Sequence, residues 1–208
     1  MKGILVVRLY MNAHRFRRKL QKLVSRINEA APGTDVMLTD FETLPKSDPE
    51  TVNDNHSGVI LSGTEALYTR TADRIRFNDF IKSLPKIRVP ILGICGGHQA
   101  LALAYGGKVT KMHDPVEGFR TVILEDKDTL LAGLPSKIRV LQSHREEVKP
   151  LPSGFLCIAR SAGTEIEGMR HEKFPIYGLQ FHPEGWNEEN PAGKRILENF
   201  LQRIASTA

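Results

Sequence analysis

Ile87-Arg-Val-Pro-Ile-Leu-Gly-Ile-Cys95-Gly-Gly-His-Gln99 is an apolar run that stops at a cysteine set between glycines, where a helix is expected to begin. A side chain on a sharp strand-to-helix turn is exposed and strained, and small neighbours let the backbone close and a substrate carbonyl approach. Gly93 and Gly97 are read as supplying that freedom. The helix that follows would aim its unpaired N–H groups and the positive end of its dipole at the sulfur, which favours thiolate over thiol. Cys95 is therefore the candidate nucleophile.

The surrounding chain has 208 residues, 40% of them hydrophobic, enough for one substantial core and short for two. A single domain spanning residues 1–208 is expected. No apolar run reaches the roughly 20 residues that span a bilayer, and Gly3 to Leu9 reads as a first buried strand, not a leader peptide. A cytoplasmic protein with no membrane partner follows. The two cysteines make a disulfide framework unexpected, and Cys157 in Phe155-Leu-Cys-Ile-Ala159 reads as an inert strand-core residue.

The formal charge of +5 is unevenly placed. Eight Lys and Arg residues precede Glu29 with no acid among them, so the rest of the chain nets −3. Arg15, Arg18, Lys19, Lys22 and Arg26 share one helical face, opposite Phe16, Leu20, Leu23 and Ile27. The preferred reading is a solvated helix lying on a sheet; the alternative is a docking surface for an acidic partner. No aromatic residues interleave with these cations, so no nucleic-acid partner is expected.

Short aliphatic runs alternate with amphipathic stretches through the first half, the pattern of a parallel α/β sheet. Strands are expected at 3–9, 35–39, 58–61 and 89–94, with helices at 13–31, 71–84 and 97–105. In the second half, strands at 119–125, 138–143, 155–161, 166–171 and 175–180 follow one another across short links, so some form antiparallel edge hairpins. A last helix covers 191–204. The expected class is α/β, a mostly parallel central sheet flanked by helices with antiparallel edge strands.

A thiol needs a base. His182, in Leu179-Gln-Phe-His-Pro-Glu184, leaves the last expected strand, and side chains two apart on extended chain point the same way, so Glu184 can lie beside it. Pro183 biases His182 toward extended backbone. A carboxylate on one imidazole nitrogen orients the ring and leaves the other nitrogen for the thiol. Both segments lie at carboxyl ends of strands, where open α/β sheets place ligands.

Gly93-Ile-Cys-Gly-Gly-His-Gln99 and Gln180-Phe-His-Pro-Glu184 resemble the two signatures of class I glutamine amidotransferases, and the resemblance covers most of the chain. It implies the flavodoxin-like fold of that family and a Cys95-His182-Glu184 triad. Cys95 would attack the glutamine side-chain amide, His182 would shuttle protons to the departing ammonia, and Glu184 would hold His182. The resemblance further implies an oxyanion hole from the backbone N–H groups of Gly63 and Gly96, and a glutamine cradle from Gln99, Ser143 and His144. For Gln99 a structural role on its helix competes with substrate contact. For His144 a strand-end backbone contact is preferred over direct catalysis.

Within the family, Gln142-Ser-His-Arg-Glu-Glu-Val148 and Pro175–Glu184 are most similar to the glutaminase chains of two-chain GMP synthases, which implies that the partner is a separate ATP-dependent synthetase. No cofactor is expected in this chain, ATP and Mg being expected on the partner. Gly106-Gly-Lys108 lacks the rest of a phosphate loop, and His56, His113 and His171 have no metal-ligand spacing. His98 reads as a packing residue. The chain departs from the family pattern at Thr64-Glu65-Ala66 and at Arg8-Leu-Tyr-Met-Asn12, two loops that border the site. A stand-alone γ-glutamyl hydrolase and a regulatory module without turnover are the competing readings.

Overall fold

The computed structural model describes residues 2–126 and 129–207. Its first half alternates β1 (Gly3–Arg8), α1 (Arg17–Ala30), β2 (Val36–Asp40), α2 (Pro49–Asn55), β3 (His56–Leu61), α3 (Thr71–Arg76), α4 (Asn78–Ser83), β4 (Ile91–Ile94) and α5 (Gly96–Ala104). The second half adds β5 (Val109–Leu124), β6 (Lys137–Val148), β7 (Phe155–Arg160), β8 (Gly168–His171), β9 (Ile176–Leu179) and α6 (Ala192–Asn199). Among the described residues these strands form one nine-stranded sheet in the order β2-β1-β3-β4-β9-β8-β7-β5-β6. Strands β2, β1, β3, β4 and β9 pair in parallel, and β8, β7, β5 and β6 continue antiparallel.

The inner parallel strands β1, β3, β4 and β9 are buried on both faces, which explains their continuous apolar runs, whereas β2 at the edge is partly exposed. In β1, Ile4 and Val6 face one core while Leu5 and Val7 face the other. The first core is covered by Leu23 and Ile27 of α1 and by Ile196 and Leu197 of α6; the second by Phe80 of α4 and Leu101 of α5. Each such side chain contributes about 1.5–3 kcal/mol of burial.

Several boundaries differ from expectation for local reasons. Helix α1 starts at Arg17 instead of Ala13, because Phe16 stacks on Tyr10 with centroids 4.8 Å apart and Asn12 Oδ1 accepts from Arg15 N at 2.9 Å. The single helix expected over 71–84 is two, broken at Phe77, which is fully buried and stacks on Phe41 at 4.0 Å. Helix α2 fills what reads as a broken stretch: Asp48 caps it by accepting from Glu50 N, with Pro49 in the first turn.

Strand β6 runs five residues past the expected end at Ser143. Its inward positions alternate through Ile138, Val140, Gln142, His144, Glu146 and Val148, all buried. Polar residues at three of those positions hide the period of two from a hydrophobicity reading. Cys157 is half-buried instead of sitting in the core, and burial pushes its thiol above the ordinary value.

Candidate active site

Backbone strain marks the centre of the site. Cys95 has φ of 50° and ψ of −101°; no other non-glycine residue among those described has positive φ. The strain therefore sits on Cys95 itself, and Gly93 and Gly97 contribute space instead of unusual torsions. A β-carbon on Gly93 would lie 2.6 Å from the Gly97 carbonyl carbon, so only a hydrogen fits where β4 turns into α5. The turn is pinned by Cys95 N to Leu179 O at 2.8 Å and Gly97 N to Ser62 O at 3.1 Å. Rigid neighbours on both sides hold the strained residue in place.

His182 arrives from the end of β9. Its N–H donates to Leu141 O at 2.8 Å, an isolated bridge that also brings Ser143 of β6 over the elbow. Its Nδ1 lies 2.7 Å from Glu184 Oε1, and its ring is within hydrogen-bond reach of the Cys95 thiol. Burial opposes the charged imidazole, but the Glu184 carboxylate and Cys95 outweigh it and raise the His182 pKa to about 10. For Glu184, burial pushes the carboxyl up, whereas His182 and its hydrogen bond pull it net below the ordinary range. Since Glu184 accepts at Nδ1, the other ring nitrogen is free to exchange a proton with sulfur.

The thiol sits 3.7 Å from Ser143 O and 3.7 Å from Gln180 Nε2. Gly63 lies beside it: a β-carbon there would be 3.1 Å from His182 Cε1 and 3.8 Å from Cys95 Cβ. Gly96, the first residue of α5, packs so closely on the next loop that a β-carbon would meet Thr64 Cγ2 at 2.4 Å and Thr64 N at 2.9 Å. The backbone at Gly63, Thr64 and Gly96 thus converges next to the sulfur.

A cavity of about 370 Å³ opens over Cys95, bordered by Gln99, Ser143, His144, His182, Thr64 and Arg145 among others. Gln99 borders the cavity, and its Nε2 donates to Glu146 O at 2.9 Å and to Gln180 Oε1 at 3.1 Å, a structural role. His144 is buried with Nδ1 3.1 Å from Glu146 O, and desolvation lowers its pKa to about 4. A carbonyl partner makes Nδ1 the donor, so Nε2 is left as an acceptor. His98 is fully buried against Gly178, and desolvation lowers its pKa to about 3.

Two site-forming acids escape a sequence reading. Glu146 is 2% exposed, and its carboxylate accepts from Tyr68 N at 2.8 Å, Thr69 N at 2.9 Å and the Thr69 hydroxyl, fastening the loop after β3 onto β6. Glu65 accepts from Met11 N at 3.2 Å and Asn12 N at 3.0 Å, while Thr64 Oγ1 donates to Leu9 O at 2.8 Å. The two loops that depart from the family pattern are bonded to each other. An acid two residues beyond a histidine is the only sequence signal for Glu146, and nothing local announces Glu65.

The basic residues of α1 and of the turn before it are not merely solvated. Arg15 and Lys19 border the cavity, Lys22 is close enough to help hold Glu184 ionised, and Arg26 lies 4.2 Å from the Trp186 ring centroid and donates to Trp186 O. Leu23 and Ile27 bury the opposite stripe as expected. Among the described residues, no group of three or more His, Cys, Asp or Glu side chains gathers as a metal site, and no helix is long and apolar enough to cross a membrane.

A strained cysteine at a strand-to-helix elbow, facing a carboxylate-bound histidine across a polar cavity, is an arrangement suited to acyl transfer. The chain belongs to the class I glutamine amidotransferase family, whose model matches residues 21–204. It is 42% identical over 170 residues to the glutamine-hydrolysing GMP synthase chain of Methanopyrus kandleri, an alignment spanning 81% of this chain and 87% of that protein. Against the corresponding chain of Methanothermobacter thermautotrophicus it is 36% identical over 189 residues, 90% of this chain and 89% of the relative. A Thermoplasma acidophilum crystal structure ascribed to the same GMP synthase component superimposes with a TM-score of 0.79 at 30% identity, covering 100% of this chain and 95% of the other.

Proposed function

We propose that the chain is the glutaminase component of a two-chain GMP synthase, hydrolysing the side-chain amide of glutamine to glutamate and delivering the ammonia to a separate ATP-dependent synthetase chain. The observation that carries the chemistry is the Cys95-His182-Glu184 arrangement, with Nδ1 of His182 held 2.7 Å from Glu184 and the ring within reach of the thiol. The likeness to glutamine-hydrolysing GMP synthase chains over most of the sequence supports the pathway.

In this reading the Cys95 sulfur attacks the amide carbon as its proton passes to His182. The oxyanion forms beside the backbone of Gly63 and Gly96, where each donor is worth about 3 kcal/mol of barrier. His182 then protonates the departing nitrogen, and water, deprotonated by the same imidazole, cleaves the thioester. Glu184 stabilises the imidazolium at both stages. Gln99, Ser143 and His144 border the cavity where glutamine would lie. These steps use side chains and backbone of this chain alone, with ATP and Mg left to the partner, and the cytoplasm is the proposed location.

Glutamate release from glutamine should be slow for the chain alone, rise when the synthetase partner, ATP, Mg and a nucleotide acceptor are added, and vanish in Cys95→Ala. Efficient cleavage of other γ-glutamyl amides with little glutamine turnover under any partner condition would sink this reading in favour of a stand-alone γ-glutamyl hydrolase.

A further inference from the structure

Behind the elbow, three buried groups form a hydrogen-bond chain whose direction is fixed at its far end. The carbonyl of Glu146 can only accept, and the Gln99 amide meets it at 2.9 Å. That contact assigns nitrogen to the inward side of the Gln99 amide. The same nitrogen also meets the Gln180 amide at 3.1 Å. Two amide nitrogens do not hydrogen-bond each other, so Gln180 must turn its oxygen to Gln99 and its nitrogen to the sulfur of Cys95, 3.7 Å away. Gln99 is 4% exposed and Gln180 fully buried, so a flipped amide would strand donors and acceptors away from solvent. Gln180 N also donates to Glu167 O at 2.8 Å, anchoring the residue at the end of β9.

The sulfur thus meets a carbonyl on one side and an N–H on the other. Ser143 O, 3.7 Å from Sγ, accepts the thiol proton and serves the neutral form. An anionic sulfur gains nothing from that carbonyl. Donors strengthen when the acceptor carries charge, so the Gln180 amide serves the thiolate.

We propose that Gln180 is a thiolate-stabilising residue, its Nε2–H directed at Cys95 by the Gln99–Glu146 chain. The S–H bond breaks, its proton goes to the imidazole of His182, and the electron pair stays on sulfur under the Gln180 N–H until it forms the carbon–sulfur bond. When the thioester is hydrolysed the pair returns to sulfur, and the same N–H receives it. The proposal rests on Cys95 as the nucleophile, but its test reads thiol ionisation and needs no glutamine turnover.

The rate of iodoacetamide alkylation of Cys95, followed by mass spectrometry of the peptide so that Cys157 does not interfere, reports the thiolate fraction against pH. Gln180→Met keeps the shape and removes the donor, and should move the midpoint up by about one pH unit, a tenfold loss of thiolate below it. Gln180→Glu, which puts an acceptor or a negative charge against the sulfur, should move it further. An unmoved midpoint in folded Gln180→Met, whatever happens to turnover, overturns the proposal. A second measurement avoids folding losses: in the wild-type fold, the Gln180 side-chain amide protons should shift with the same pH midpoint as alkylation and lose that titration in Cys95→Ala. Amide signals indifferent to Cys95 would equally overturn it.

Discussion

Glu65 holds the backbone N–H of Asn12 at 3.0 Å, and through that bond the loop after β3 fixes the loop after β1 at the rim of the cavity. Met11 N, 3.2 Å from the same carboxylate, makes the grip two-pronged. The first loop carries Tyr10, whose hydroxyl lies 3.2 Å from the position a β-carbon on Gly63 would take. Burial, followed by the nearby acidic side chains of Glu184, Cys95 and Glu65, drives that phenol far above its ordinary pKa, so it stays protonated beside the candidate oxyanion site.

Glu65→Ala should therefore act on substrate capture more than on the fold. The Asn12 bond is exposed and the Met11 bond only part-buried, so the loss of stability is expected to stay within about 1 kcal/mol. KM for glutamine should rise several-fold with a smaller change in kcat, as measured by initial-rate kinetics of glutamate release. A fall in kcat at constant KM would contradict the positioning role.

Glu184→Gln keeps the shape of the residue behind His182 and removes its charge. The imidazolium loses its partner and the ring loses its enforced tautomer, so kcat should drop by roughly two to four orders of magnitude. The His182 pKa should fall from about 10, a change readable from the imidazole carbon-bound proton shifts in NMR titrations of both proteins. An unchanged His182 titration would show that the carboxylate does not control the ring.

Stability should fall on both sides of neutrality, through different histidines. His98 and His144 have folded pKa values of about 3 and about 4 against 6.5, so the unfolded chain binds protons first as pH drops. Their contribution is full above 6.5 and is lost progressively below it, about 1–2 kcal/mol each by pH 5. His182 has the opposite sign: raised to about 10, its contribution is full below 6.5 and is lost as pH rises through 10. Urea midpoints at pH 5, 6.5 and 9.5 should peak at the middle value. In Glu184→Gln the decline between 6.5 and 9.5 should be shallower.

Glu146 offers a stability test of the site's frame. Glu146→Ala strands Tyr68 N and Thr69 N, the former buried, and empties a packed position on β6. A loss of about 3 kcal/mol or more is expected from chemical denaturation, with faster amide exchange in residues 64–70 than elsewhere. A uniform change in exchange along the chain would argue that Glu146 stabilises the fold at large instead of clamping this loop.

The chain's order of residues determined the elbow at Cys95, the two-sided burial of β1 and the His182-Pro-Glu184 triplet, because each is a short-range pattern. The Cys95 turn needs small neighbours and a strand buried on both faces needs an unbroken apolar run; His182 and Glu184 meet because they are two residues apart, though a 3-10 turn over Pro183–Gly185, and not the expected extended chain, sets their contact. Tertiary structure alone decided what surrounds them. The pairing of β6 with the end of β9 at Leu141 and His182 brings Ser143, His144 and Glu146 to a cysteine roughly fifty residues away in sequence. The bond from Glu65 to Asn12 and the Gln99–Gln180 chain likewise join segments more than fifty residues apart. Polar side chains carry no periodic signal of their own partners, since a buried carboxylate or amide is tolerated only by whichever donors the fold happens to set against it.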